Sequence, residues 1–396
     1  MEKKKIALVT SSPITVLAFL KNHIKFLSSE FDVYVISNLH GKNEKENLKI
    51  LTVENPYLGL ERFVKYINVG ITRRIFIIND IKTILSLVKI FNKEKFCSVH
   101  SFTSKVGVLV MISAFMTGIK NRFHTYTGQV WANMKGIKRY FFKFMDKLIG
   151  ILCTSCYADS RSQMDFLVTE EVVRKEKISV LGEGSISGVD LTRFFPDKLV
   201  RSTFRQSYSI PEDDIVFLLL CRLTKDKGVL DLANAFSNIV RKINCTLFIV
   251  GPDEENLTDN IKYIVGSEYV QKLIFHGFTE HHEDFLNASD VLCMPSYREG
   301  FGTVIIDAAA TGIPSIGSDI YGIRDAIVDG STGILHKPGD IPTIYKAMYK
   351  LSIDKELRQK MGNSALTRVN EKFSMDNISQ AWLKEYSEKI YGDCPR

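Results

Sequence analysis

No two aspartates in this 396-residue chain are separated by a single intervening residue, and no His-x-x-x-His pair or Cys–His cluster has metal-ligand spacing. The Asp-x-Asp clamp that holds a divalent ion on a diphosphate is therefore missing, and no metal is expected. Cysteine is sparse and odd in number: Cys97, Cys153, Cys156, Cys221, Cys245, Cys293 and Cys394. Most lie inside apolar runs such as Phe217–Cys221 and Val291–Met294, where a reduced thiol acts as a small hydrophobe. That excludes a disulfide framework and implies a reducing compartment. Cys153 and Cys156 have redox spacing without a second pair, so a core role is expected for them.

An apolar run of membrane length is missing too. The longest, Val106–Ile119, is too short to span a bilayer and contains Ser113 and Thr117. MEKKKIALVTSS leads straight into a strand-like run, without the apolar core or cleavage site of a secretory signal. The expectation is a cytoplasmic protein, soluble or peripheral to the membrane. Helix-turn-helix, RNP and zinc-finger patterns are absent, so nucleic acid is not an expected partner. No G-x-G-x-x-G follows the first strand, which argues against a dehydrogenase. No solenoid repeat or low-complexity tract occurs.

What is present is a regular alternation. Apolar residues make up 45% of the chain, enough for two cores, since one core rarely grows past ~250–300 residues. Strand-like runs at Ile6–Thr10, Asp32–Ser37, Ser98–Phe102, Arg122–Thr125 and Ile151–Ser155 alternate with helix-length amphipathic segments. The rhythm repeats at Ile215–Leu220, Cys245–Val250, Lys272–His276, Val291–Pro295 and Ser315–Ser318. Near-continuous apolar strands indicate parallel sheets covered on both faces. Two such series imply two doubly wound α/β domains, with a polar hinge near 182–211. The domains are expected at 1–190 and 191–375, with 376–396 forming a last helix that packs back on the first. Ligands of such folds bind where strands end, so chemistry is sought just after strands.

Two motifs fall there. Ser296-Tyr-Arg-Glu299-Gly300-Phe301-Gly302-Thr303 follows the strand VLCMP and opens a helix containing Asp307. Glycines let the backbone approach a ligand, and helix N-terminal amides favour an anion such as a diphosphate. Glu299 and Asp307 flank that position, suiting a molecule made of sugar, diphosphate and ribose. The bland alternative is a capping acid and a surface charge. The second motif, Cys221-Arg222-Leu-Thr-Lys225-Asp-Lys227-Gly228, follows IVFLLL. Arg222 and Lys227 can clamp a leaving diphosphate, one as a fork and one as a point charge. A generic basic loop is the alternative, and Lys225 can equally face solvent.

Taken together, residues 215–340 resemble the donor domain of the retaining GT-B glycosyltransferases of family 4, through R-x-x-x-x-K-G and E-G-F-G-x-x-x-x-[acid]. The first half resembles the capsular-polysaccharide and O-antigen branch. It carries Ser11-Ser12-Pro13, His100-Ser-Phe-Thr103-Ser-Lys105-Val-Gly107, His124-Thr-Tyr-Thr127-Gly128 and the hinge Gly184–Phe194. The resemblance implies two Rossmann-like domains facing across a cleft. It also implies retention by front-face attack, with the donor's phosphate oxygen deprotonating the acceptor. Arg222 and Lys227 would hold the diphosphate with the amides of Phe301 and Gly302, Glu299 the sugar hydroxyls, Asp307 the ribose, and His124 the transferred sugar. Ser12, His100, Lys105 and Thr127 are acceptor-side candidates, a structural role being the favoured reading of His100. Three features depart from the family. Asp307 replaces a glutamate, Ser11-Ser12-Pro13 replaces a glycine-rich turn, and His100-Ser-Phe102 replaces His-x-His.

Gln129–Ile149 mixes Lys135, Lys138, Arg139, Lys143 and Lys147 with Trp131, Tyr140, Phe141, Phe142 and Phe144. A basic, aromatic, amphipathic segment suits an anionic membrane surface, or its aromatics belong to the core. The function expected is transfer of a hexose or N-acetylhexosamine from a nucleotide sugar to a polyprenyl-diphosphate-linked glycan. UDP is the expected base, with GDP-mannose and GDP-fucose open. A sugar-nucleotide hydrolase or epimerase of the same fold, and an inactive glycan- or nucleotide-binding protein, are the alternatives.

Overall fold

The computed structural model describes residues 3–38, 59–72 and 75–392. Cys394 lies outside them. The chain forms two compact units, Met1–Ser187 together with Met375–Arg396, and Gly188–Ser374.

The first unit is built on a parallel seven-stranded sheet: β1 (Lys4–Val9), β2 (Phe31–Ser37), β3 (Val64–Asn68), β4 (Ser98–Phe102), β5 (Asn121–Tyr126), β6 (Ser155–Ala158) and β7 (Ile178–Val180). Their order is β3-β2-β1-β4-β5-β6-β7. The central strands are buried almost throughout because helices cover both faces. Helices Ile77–Glu94, Ser104–Met116 and Gly136–Leu152 pack on one face through Leu87, Phe91, Val110 and Ile149. Helices Lys21–Glu30 and Met375–Tyr391 pack together on the other, with Ile24, Leu27, Trp382 and Tyr386.

The second unit has six parallel strands: β8 (Ile215–Leu220), β9 (Cys245–Val250), β10 (Leu273–His276), β11 (Val291–Met294), β12 (Ser315–Ser318) and β13 (Gly333–His336). Their order is β10-β9-β8-β11-β12-β13.

Three strands escape the sequence pattern: β3, β7 and β13. All are sheet edges, short and partly polar, where the apolar signal is weakest. The expected strand Ile151–Ser155 is wrong in register. The helix runs through Leu152, and β6 begins at Ser155. A short apolar run cannot distinguish a buried helix end from a strand. The expected 182–211 hinge also contains a helix, Lys198–Ser207, capped by Asp197. Cys153 and Cys156 are free thiols in the first unit's core.

Candidate functional site

In the second unit, β8 and β11 are sheet neighbours, so the loops after them emerge side by side. Those loops carry both motifs, and they are stitched together. The Tyr297 N–H donates to the Asp226 carbonyl at 2.8 Å. Arg298 Nη2 donates to Asp226 Oδ2 at 3.1 Å, and the Tyr297 hydroxyl to Asp231 Oδ2 at 2.7 Å. Gly228 sits at φ +67°, and a Cβ there would lie 2.1 Å from the Pro295 carbonyl oxygen. Only glycine admits both the left-handed backbone and that approach.

The stitching brings Lys227 to Glu299. Lys227 Nζ donates to Glu299 Oε1 at 2.5 Å, and Ser296 Oγ donates to the same oxygen at 3.1 Å. Both charged side chains are only 13% exposed. Arg222 is half exposed and pairs with Glu254 at 2.6 Å. An exposed pair is worth at most ~1 kcal/mol, so the guanidinium is readily available to another anion. The Lys225 side chain is exposed.

After Glu299, Phe301 drops into the core against Phe373, with ring centroids 5.4 Å apart. Gly302 (φ +81°) opens the helix Thr303–Ala310, whose start is suited to an anion. Asp307 lies on that helix, and burial raises its pKa. Its ionisable neighbour is His282, with Nε2 3.7 Å from Oδ2. His282 is itself held by Arg193 Nη2 at 3.4 Å from Nδ1, and by the Phe194 ring at 5.0 Å. Arg193 in turn pairs with Glu283 at 2.5 Å. His282, Arg193, Glu254 and Ser296 carry no role in the sequence reading. The available signal for His282 was its place soon after the end of β10.

In the first unit, His124 on β5 is fully buried, and burial drives its pKa down to about 3. Its Nδ1 shares a hydrogen bond with Ser101 Oγ at 2.8 Å, and Nε2 has no partner among the described residues. A buried polar nitrogen without a partner is uncommon and costly. A Cβ on Gly107 would lie 2.6 Å from His124 Cε1, so glycine is what lets the helix cover the ring.

The acceptor-side candidates fare differently. His100 has both ring nitrogens engaged. Its Nδ1 meets the Tyr386 hydroxyl at 2.6 Å and its Nε2 the Thr125 hydroxyl at 2.8 Å, deep in the core. Stacked against Trp382 at 4.9 Å, it is a packing residue. Lys105 is likewise engaged, donating to the Thr72 carbonyl at 2.6 Å and its hydroxyl at 2.9 Å while pairing with Asp80 at 2.8 Å. Ser12 is buried and caps a short helix through Ile14 N–H. Thr127 is half-buried just past β5.

The basic aromatic segment divides. Trp131 turns inward and donates to Asp146 Oδ2 at 2.7 Å, and Phe142 packs on the core. Ile137, Tyr140, Phe141 and Phe144 face outward. Among the described residues no helix is long and apolar enough to cross a membrane, and no group of three His, Cys, Asp or Glu could hold a metal ion.

The glycosyl transferases group 1 family matches residues 200–368, which contain both stitched loops. The capsular polysaccharide biosynthesis glycosyltransferase CapM of Staphylococcus aureus is 30% identical over 357 residues, 87% of this chain and 93% of that one. The chain belongs to the group 1 glycosyltransferases. This glycosyltransferase is also 29% identical over 292 residues to the UDP-Gal:alpha-D-GlcNAc-diphosphoundecaprenol alpha-1,3-galactosyltransferase of Escherichia coli, covering 72% of the chain and 74% of the relative. Among solved structures it resembles sucrose-phosphate synthase of Thermosynechococcus elongatus, with a TM-score of 0.80 at 17% identity over 99% and 100% of the two chains. It also resembles Anabaena HepE in complex with UDP and glucose, with a TM-score of 0.75 at 17% identity over 97% and 99%. The glycosyltransferase has the GT-B fold, with two parallel-sheet units.

Proposed function

We propose that this glycosyltransferase moves a hexose or N-acetylhexosamine from a UDP-sugar to a glycan carried on polyprenyl diphosphate, with retention, in capsule or O-antigen synthesis at the cytoplasmic membrane face. The observation that carries the reading is the Lys227–Glu299 pair in the stitched loops. One cation suited to a phosphate and one acid suited to sugar hydroxyls are held against each other beside a helix start. The printed names of the two relatives, one for capsule synthesis and one for a UDP-Gal donor with a diphosphoundecaprenol acceptor, support the donor and the acceptor class.

As the bond from C1 to phosphate oxygen breaks, negative charge grows on the departing diphosphate. In this reading Lys227, Arg222 and the amides of Phe301, Gly302 and Thr303 take that charge, the role a metal plays elsewhere. No metal is required in this reading. The acceptor hydroxyl bonds to C1, and its proton passes to an oxygen of the leaving phosphate. Glu299 and the Gly300 backbone position the sugar, and Asp307 binds the ribose. His124 stays neutral at physiological pH, so it offers a hydrogen bond through Nε2 and does not act as a proton shuttle. The outward face of helix Gly136–Leu152 meets the membrane in which the acceptor is anchored.

The test is a donor screen by nucleotide release, with UDP- and GDP-sugars, with and without a polyprenyl-diphosphate glycan, in EDTA. Release that needs one donor and the lipid acceptor and survives EDTA is the expected result. Release from donor alone would move the reading to a hydrolase or epimerase. Binding of labelled UDP without turnover would make it a binding protein.

A further inference from the structure

We propose that helices Ile77–Glu94 and Gly136–Leu152 form a single two-helix platform that docks the first unit on an anionic bilayer, with their N-terminal halves deepest. This deepens, and for its purpose rests on, the reading of a lipid-linked acceptor.

The first of these helices has no part in the sequence reading. It carries Ile77, Ile78, Ile81 and Leu85 at 53–74% exposure, preceded by exposed Phe76, while Thr83, Leu87 and Phe91 turn inward. The second carries Ile137, Tyr140, Phe141 and Phe144 at 51–85% exposure, while Asp146, Ile149 and Gly150 turn inward. Each set follows helical spacing, so each helix has a complete second apolar face in addition to the one packed on the sheet. Single exposed aliphatics need no explanation, but two ordered faces on one unit do.

Charge selects the occupant. Exposed lysines border both faces: Lys82 and Lys89 on one helix, Lys138 and Lys147 on the other, and Lys135 just before it. The acids on these helices do not oppose them. Asp80 pairs with Lys105 at 2.8 Å, Asp146 is buried, and Glu94, at the far end, pairs with Lys5 at 3.0 Å. Bulky aliphatic and aromatic groups edged by long cationic stems, without an unpaired acid, fit a fluid anionic surface. A folded protein partner would need a fixed pattern of complementary groups that these faces do not offer.

The fold gives the platform its place. Both helices pack on Ser104–Met116, which lies between them on one face of the sheet. Lys105, in the first turn of that middle helix, reaches Asp80 in the first turn of Ile77–Glu94. The N-terminal turns therefore gather at the edge where β4 and β5 end and where Thr127 lies. Six of these eight exposed apolar residues sit in the first two turns of their helices, so docking brings that edge to the headgroups.

The experiment is co-sedimentation of the full-length protein with phosphatidylglycerol or phosphatidylcholine vesicles, without substrate, so the binding readout is independent of the donor screen, which bears only on the activity control. The variants are I77S/I81S/L85S, F141S/F144S and K82E/K138E/K147E, each checked by circular dichroism and by activity on a water-soluble short-chain acceptor. Expected is binding to phosphatidylglycerol alone, weakened tenfold or more by each variant with soluble activity kept. Wild-type binding by I77S/I81S/L85S would overturn the two-helix platform. Equal binding to both lipids would overturn the role of the lysines. A dimer in solution that the same serine substitutions dissociate would make this face a contact between copies of the chain instead.

Discussion

Lys227 Nζ lies 2.5 Å from Glu299 Oε1, although the two residues are 72 positions apart. Their pairing depends on Tyr297 and Arg298 binding Asp226, and on Gly228 lying against Pro295. A cation and an acid held together at low exposure can exchange each other for a phosphate and a hydroxyl without reorganising the backbone.

Lys227→Ala should therefore lower kcat by ~10²–10³ with a smaller change in donor KM, the pattern expected for a group that stabilises charge developing on the leaving diphosphate. Arg222→Ala should follow the same pattern with a smaller loss, because its side chain is exposed. Steady-state kinetics with the preferred donor decides this. A rise in KM alone would reduce both residues to ground-state binding.

Gly228→Ala should destabilise the second unit by more than the ~1–2 kcal/mol of a left-handed non-glycine, since its Cβ also meets the Pro295 carbonyl. The two loops would separate, so UDP affinity should fall with Tm. Thermal unfolding and a UDP titration on the same sample check both. An unchanged Tm would show that the loops have slack.

Gly107→Ala pushes on the His124 ring from 2.6 Å away, without touching the second unit's motifs. Transfer should fall at least tenfold while UDP affinity holds. Loss of UDP binding as well would place the effect outside His124.

Asp307 sits beside His282 at 3.7 Å, and His282 is held by Arg193. His282→Ala should raise donor KM several-fold with little effect on kcat, and Asp307→Asn should do so more strongly. Asp307→Glu, the residue usual in the family, should be tolerated or activating. A large loss in Asp307→Glu would mean that the surroundings are built for the shorter acid. Donor titrations with UDP and 2′-deoxy-UDP separate ribose contact from packing.

Asp159 is buried, its Oδ1 has no hydrogen-bond partner among the described residues, and burial pushes its pKa up to about 8. The folded state keeps a proton that the unfolded state releases near pH 4, so wild-type stability is lost as pH rises from about 4 to about 8. The slope is up to about 1.4 kcal/mol per pH unit. Asp159→Asn does not titrate, so its Tm advantage should widen across that range and level off above it. The buried histidines, with lowered pKa values, act oppositely but equally in both proteins and cancel in the difference. A gap that stays constant with pH would place the Asp159 proton elsewhere.

The α/β class and two parallel sheets were legible because strands covered on both faces must be apolar along their whole length. Both loops of the second unit were legible because glycine at positive φ and charge after a strand leave a local mark. The edge strands β3, β7 and β13 leave little, and the end of the helix Gly136–Leu152 reads like a strand because both are short and apolar. His100 stands in a strand as His124 does, and only the packing shows both of its ring nitrogens engaged while His124 Nε2 has no partner among the described residues.

The sequence by itself determined most of the central strands of the two sheets and which loops carry glycine, cation and acid together, since those properties belong to residues a few positions apart. Only the tertiary structure decided which charges meet. It set Lys227 on Glu299, His282 beside Asp307 and Lys105 on Asp80, and it stacked Trp382 of the last helix on His100. It also decided which side of two amphipathic helices stays exposed. Helical periodicity marks an apolar stripe, but the sheet claims only one face, and which face it claims depends on contacts far apart in the chain.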